Sequence, residues 1–152
     1  MNSPDPTIIF HVLFRFIHVG SVILFLGGIV YARQVLVPTL NSLPEDLRLP
    51  AASRAQITYR STLYALLVLI VGSGLYNLLT GPKHSYEYQM WFGIKMLLVA
   101  HVVATAILWS TSPYGDVSVA RKSKHRLTSI AISGLLIVLI SSYLRSMTLR
   151  GL

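Results

Sequence analysis

The chain has 152 residues and a formal net charge of +8, yet only 12% of its residues are charged and 53% are hydrophobic. Soluble domains carry about 25% charged residues, so this composition excludes an ordinary soluble domain and indicates a protein of the lipid bilayer. No cysteine is present, which excludes disulfides and cysteine-based zinc, iron–sulfur or redox sites.

Four apolar runs are long enough to cross a bilayer, because a helix needs about 20 apolar residues to span roughly 30 Å of hydrocarbon. In chain order they cover residues 8–32, 61–80, 90–109 and 127–144. They predict an all-α fold, an integral membrane bundle of four transmembrane helices in one domain covering residues 1–152. The first run is too long for the core of a signal peptide, so we interpret it as a retained helix.

Proline residues lie between these runs, and small residues lie within them. Pro38, Pro44 and Pro50 predict an irregular connection between the first two helices. The small residues Gly27–Gly28 and Gly72–Ser73–Gly74 predict surfaces at which helices approach each other closely.

Basic residues between the runs indicate the orientation, because Lys and Arg near helix ends remain on the cytoplasmic side. Eight lie in the first and third connections and three on the opposite side: Arg33, Arg48, Arg54, Arg60, Arg121, Lys122, Lys124 and Arg126 against Lys83, Arg145 and Arg150. This pattern predicts a bacterial inner-membrane protein with both termini in the periplasm. Arg60 and Arg126 are expected to contact lipid headgroups. Without a soluble basic domain, nucleic acid is not a partner.

Ionisable residues inside the apolar runs are the candidate functional groups, since such residues are costly in hydrocarbon. His11, Arg15 and His18 share one face of the first helix at i, i+4 and i+7. His18 and His101 each lie ten residues, or about 15 Å, from the outer end of their helices, with Arg15 and Lys95 shallower. Lys95 and His101, six positions apart, do not share a face.

Two histidines at the same depth, with two cations nearer the outer end of the helices, predict a b-type haem between the first and third helices. His18 and His101 would be its axial ligands, and Arg15 and Lys95 would bind its propionates. A haem would imply electron transfer or porphyrin redox chemistry, with a quinone or porphyrin as substrate. His11, nearer the interface, is expected to be solvated or to relay protons.

Other interpretations remain open. Membrane histidines also form hydrogen bonds between helices, and Arg15 and Lys95 can extend to the interface on their long side chains. Copper is a second metal to consider, because it accepts His and Met ligands, and Met90 and Met96 lie on the third helix. The chain could also form homo-oligomers or act as a cofactor-free accessory subunit of a larger membrane complex. No G-x-S-x-G, P-loop or G-x-G-x-x-G motif is present.

Several short motifs resemble those of the CopD-like and HemJ-type four-helix membrane proteins. In the first helix, His18 is followed by Gly28, Tyr31 and Arg33, and the third helix contains WFGIKMLLV with Lys95. The segments RQVLVPTL and RSTLYALLVLIVGSGLYNL are more similar to the CopD side. The HemJ resemblance implies haem binding and protoporphyrinogen oxidation, with His18 and Lys95 as catalytic residues. The CopD resemblance implies copper handling at the inner membrane.

Overall fold

The fold consists of helices throughout the part of the chain that the computed structural model describes, residues 6–80, 86–112 and 117–149. Helix α1 covers Pro6–Tyr31 and continues through a π-helical turn, Ala32–Leu36, into the short α2, Val37–Asn41. Three long helices follow: α3 at Glu45–Leu79, α4 at Tyr86–Thr111 and α5 at Val117–Leu149.

Four helical segments are long and apolar enough to cross a membrane, namely Thr7–Asn41, Glu45–Leu79, Tyr86–Thr111 and Ser123–Thr148. Large apolar side chains on them point outward, among them Phe16, Val68, Leu97 and Leu139. Such an apolar exterior suits contact with lipid rather than water. The predicted four-helix membrane bundle is therefore confirmed.

The prediction of an irregular first connection is wrong, because this region is almost entirely helical. Pro38 follows the π-helical turn Ala32–Leu36, whose wider hydrogen bonding gives its ring room that a regular α-helix lacks. Pro44, with ψ of 149°, caps the start of α3 instead of breaking it. Pro50 is the sixth residue of α3, where it removes one hydrogen bond from the helix, and the helix continues through it.

The four long helices pack mainly as two pairs. Helix α1 packs along α3, and α4 packs along α5, whereas contacts of α1 with α5 and of α3 with α4 are sparser. We call the half of the bundle with the start of α1 and the end of α3 the proximal half, and the other the distal half. Distally, one buried core joins all four helices, with Phe25, Ile29, Leu63, Ala106, Trp109, Leu127 and Ile130 among its members.

In the proximal half, α4 and α5 form a separate core of their own. Ile140, Leu144 and Met147 of α5 are buried there against aromatic side chains of α4 that include Trp91 and Phe92. Because this core does not include α1 or α3, the two helix pairs leave a gap between them in the proximal half.

Arginines at the distal end cap helix α4, a contact that the sequence did not predict. Arg60 donates from Nη2 to the Ser110 carbonyl at 2.6 Å, and Arg126 donates to the Leu108 carbonyl at 2.9 Å. Gln56 donates to the carbonyls of Trp109, Ser110 and Ser112. The last carbonyls of a helix have no partner within it and carry partial negative charge, so these donors stabilise it.

Candidate functional site

A cavity of about 330 Å³ occupies the gap between the two helix pairs. All four long helices line it, and most of its wall is apolar, formed by residues such as Phe25, Leu67 and Val102. Its polar side chains are His18, Asn77, Tyr88 and Lys95. An apolar cavity with a few convergent polar groups, and a volume in the range of about 300–1,000 Å³, is typical of small-molecule and cofactor sites.

Helix α3 fixes the orientation and tautomer of the His18 ring. The ring nitrogen Nδ1 lies 3.0 Å from the Ile70 carbonyl oxygen and 3.0 Å from Ser73 Oγ. A carbonyl oxygen can only accept, so Nδ1 carries the hydrogen and donates it. Ser73 uses its own hydroxyl hydrogen to donate to the Leu69 carbonyl, so it too accepts from His18. In the neutral ring, Nε2 therefore holds the free lone pair.

Gly74 allows the His18 ring to lie directly against α3. A Cβ atom at position 74 would be 3.1 Å from Cε1 of His18 and 3.5 Å from Nδ1. The first distance is shorter than an ordinary carbon contact, so a larger residue would displace the ring. The sequence predicted close helix approach at Gly72–Ser73–Gly74; at Gly74 the group in contact is the His18 imidazole, and at Gly72 nothing lies within 4 Å of an added Cβ.

Lys95 brings a cation to the same cavity without a counter-ion from the described residues. Its side chain is half-buried, and Nζ lies 6.0 Å from the centre of the Phe92 ring. Among the described residues no carboxylate pairs with it and no acceptor binds it. A charge in a low-dielectric environment is costly unless it is paired. The cavity is therefore electrostatically suited to a ligand with an acidic group.

His101 lies outside this cavity, so the predicted facing pair of His18 and His101 is not formed. Its side chain is exposed on the bundle exterior, where Nε2 lies 2.8 Å from Ser129 Oγ of α5. The reason is helical geometry: with Lys95 turned to the cavity, a residue six positions later points about 120° away. His101 thus makes the ordinary contact between helices that was the alternative interpretation.

Arg15 and His11 also lie outside the cavity lining. Arg15 is exposed and has no hydrogen bond or ion pair with the described residues. The His11 ring packs 5.8 Å from the Tyr76 ring, which also stacks on Phe14 at 3.9 Å. Of the four residues predicted to bind haem, the structure brings together His18 and Lys95 and leaves Arg15 and His101 apart from them.

The sequence interpretation missed several residues of this site. Asn77 and Tyr88 contribute polar groups to the cavity, and Ser73 and Gly74 hold the His18 ring. Asn77 gave a usable signal, since it is an amide at the end of an otherwise apolar run. Ser73 gave none, because a small polar residue in a membrane helix commonly bonds to its own backbone.

No family model matches this chain, and no curated protein or solved structure is significantly similar to it. What the cavity can bind follows from its own residues. It offers one imidazole nitrogen with a free lone pair, one unpaired ammonium group and apolar walls. The described residues contain no group of three or more His, Cys, Asp or Glu side chains that could hold a metal ion.

These groups offer a metal ligand and a site for an anion. Histidines that bind metals almost always donate their other ring N–H to a carbonyl, carboxylate or water, as His18 does to Ile70. An ammonium group suits a carboxylate, through a charge-assisted hydrogen bond. If the ligand were a haem, His18 would bind its iron and Lys95 would bind a propionate.

Proposed function

We propose that this membrane protein binds a b-type haem or a closely related porphyrin in the cavity between its helix pairs, and that it acts in electron transfer or porphyrin redox chemistry. His18 would bind the iron through Nε2, and Lys95 would bind a propionate. The observation that carries the proposal is the shared cavity: it holds an imidazole in its Nδ1–H tautomer and a cation that has no counter-ion among the described residues.

His101 and Arg15 have no part in this proposal, since neither lines the cavity. A bound haem would supply one-electron redox chemistry. The resemblance to HemJ-type proteins favours an oxidoreductase that acts on a porphyrin or quinone substrate, with His18 and Lys95 as its catalytic residues.

The distribution of Lys and Arg that predicts the orientation of the helices also supports a location in a bacterial inner membrane. In the described part of the chain, the Lys and Arg residues of the distal end are Arg33, Arg48, Arg54, Arg60, Arg121, Lys122, Lys124 and Arg126. If this end is cytoplasmic, both termini are periplasmic, and the cavity opens in the periplasmic half of the bilayer.

The proposal is tested by titrating haemin into the purified, detergent-solubilised protein and recording its absorbance. We expect a Soret band and reduced α and β bands from the unaltered protein. His18→Ala should shift or abolish these bands, whereas His101→Ala should leave them unchanged because its ring lies outside the cavity. A protein that shows no specific haem spectrum, or loses it equally in both variants, would contradict the proposal.

The role of Lys95 has its own test, which varies the ligand instead of the iron site. Lys95→Met should weaken binding of protoporphyrin IX by about tenfold or more, since it removes a charge-assisted bond worth about 1.5–3 kcal/mol. The dimethyl ester of the same porphyrin lacks the carboxylates and should bind both proteins equally. Equal loss for acid and ester would show that Lys95 acts through packing alone.

Copper is a second candidate, and one observation favours it: Met96 lines the same cavity as His18. Cu(I) accepts thioether and imidazole ligands together. Metal analysis after purification from copper-supplemented cells tests this function, with Met96→Leu as the variant. Copper bound in equal molar ratio and lost in Met96→Leu would support it, and the absence of copper from the unaltered protein would exclude it.

A further inference from the structure

The wall of the cavity is incomplete on one side, between α3 and α4. The lining residues Val71, Leu75 and Leu78 of α3 are 48%, 52% and 43% exposed, and Met96 of α4 is 46% exposed. Lining residues on α1 and α5, such as Val22 and Ile137, are more buried. The gap therefore lies at the α3–α4 boundary, one of the two boundaries between the helix pairs with sparse contacts.

Two properties of this opening identify the medium that it faces. Val71, Leu75 and Leu78 follow the i, i+4, i+7 spacing, so they form one continuous edge along about 10 Å of α3. That edge and Met96 are apolar, and neighbouring exterior residues of the same helices, Val68 and Leu97, are apolar too. An apolar rim in the middle of a lipid-facing surface opens to acyl chains and not to water.

We infer that the cavity takes up its ligand sideways from the bilayer, through the opening between α3 and α4, and that this ligand is a membrane-dissolved amphiphile with a carboxylate end. The inference rests on the proposed function for the porphyrin class of the ligand. The apolar rim admits the ring, and Lys95, inside the cavity, binds the carboxylate.

The experiment measures the rate at which protoporphyrin IX moves from donor vesicles into the protein in acceptor vesicles, followed by the change in porphyrin fluorescence. Leu75→Trp fills the opening and should slow loading by about tenfold or more, and following each time course to its plateau separates the rate from the final amount bound. Leu75→Ala widens it and should speed loading. Val68→Trp, which introduces the same side chain on the lipid-facing side of α3 but outside the lining, should not change the loading rate.

A porphyrin that cannot dissolve in the membrane provides the second arm. Uroporphyrin, with eight carboxylates, remains in water and should not load within the time that protoporphyrin IX needs. Equal loading rates in the Leu75 and Val68 variants, or loading by uroporphyrin at the rate of protoporphyrin IX, would overturn lateral uptake while leaving the proposed function intact. Failure of the unaltered protein to bind any porphyrin would overturn both.

Discussion

Gly74→Ala should change the orientation of the His18 ring while leaving the stability of the protein almost unchanged. The added methyl group would lie 3.1 Å from Cε1 of His18, and ordinary contacts begin at 3.4 Å, so the ring must move by a few tenths of an ångström. A movement of that size away from α3 stretches the 3.0 Å bonds from Nδ1 to Ile70 and Ser73 beyond the usual limit of about 3.2 Å.

Two terms of opposite sign act on stability, whereas haem binding only weakens. Weakening the Nδ1 hydrogen bonds costs about 0.5–1.5 kcal/mol, while replacing glycine by alanine within a helix gains up to about 1 kcal/mol. These terms nearly cancel, so the midpoint of thermal unfolding should hardly change. Haem affinity should fall by about 10–100-fold, the usual effect of losing the hydrogen bond that orients a metal-binding histidine.

Gly72→Ala is the matched control, since nothing lies within 4 Å of a Cβ added there. It should gain the helix term of up to about 1 kcal/mol and bind haem normally. Haem titration by absorbance and thermal unfolding in the same detergent measure both quantities for both variants. Equal haem affinities for Gly72→Ala and Gly74→Ala would refute the idea that contact with α3 orients the His18 ring.

Three further predictions concern neighbouring contacts. Ser73→Ala removes one acceptor from His18 but leaves Ile70, so haem affinity measured by titration should fall by about tenfold, and an unchanged value would remove Ser73 from the site. Gly28→Ala places a methyl group against the Tyr59 hydroxyl and should lower the free energy of unfolding, measured with denaturant, by about 1–3 kcal/mol. Tyr59→Phe removes this buried hydroxyl, which has no partner among the described residues. The double variant should therefore recover most of the lost stability. Gln56→Leu removes a donor shared by three carbonyls at the end of α4 and should lower stability by about 1–3 kcal/mol, whereas an unchanged melting temperature would show that the cap is dispensable.

The fold was predictable because it depends on properties that each segment carries by itself. Twenty apolar residues in a row must satisfy their backbone groups within a helix, whatever the rest of the chain does. The same local reasoning failed at Pro38, Pro44 and Pro50, where the outcome depends on position within a helix. Pro44 precedes the first turn of α3, where an N–H has no partner within the helix. Pro38 lies just after a π-helical turn and Pro50 lies within α3, and both helices continue through these positions.

The site was only partly predictable, because the sequence gives the depth of a residue along its helix but not the direction in which its side chain points. Counting residues along a helix gave the depth of His18 and Lys95, and both line the cavity. Depth alone also selected His101, whose direction depends on which face of α4 turns inward. The separation of six residues between Lys95 and His101 already showed that both could not face the same neighbour. The structure assigns the inward face to Lys95.

The cavity itself arises from a difference between the two ends of the bundle. Proximally, each pair is complete: Phe14 stacks on Tyr76 between α1 and α3, and Trp91 packs edge-on against Tyr143 between α4 and α5. Distally, contacts cross between the pairs instead. Leu26 of α1 reaches the space beside Gly134 of α5, and Tyr59 of α3 packs against Trp109 of α4. Side chains that satisfy each pair internally leave nothing to draw the pairs together, so the gap persists only in the proximal half. His18 and Lys95 lie at this gap, where a ligand can supply the contacts that the protein itself does not make.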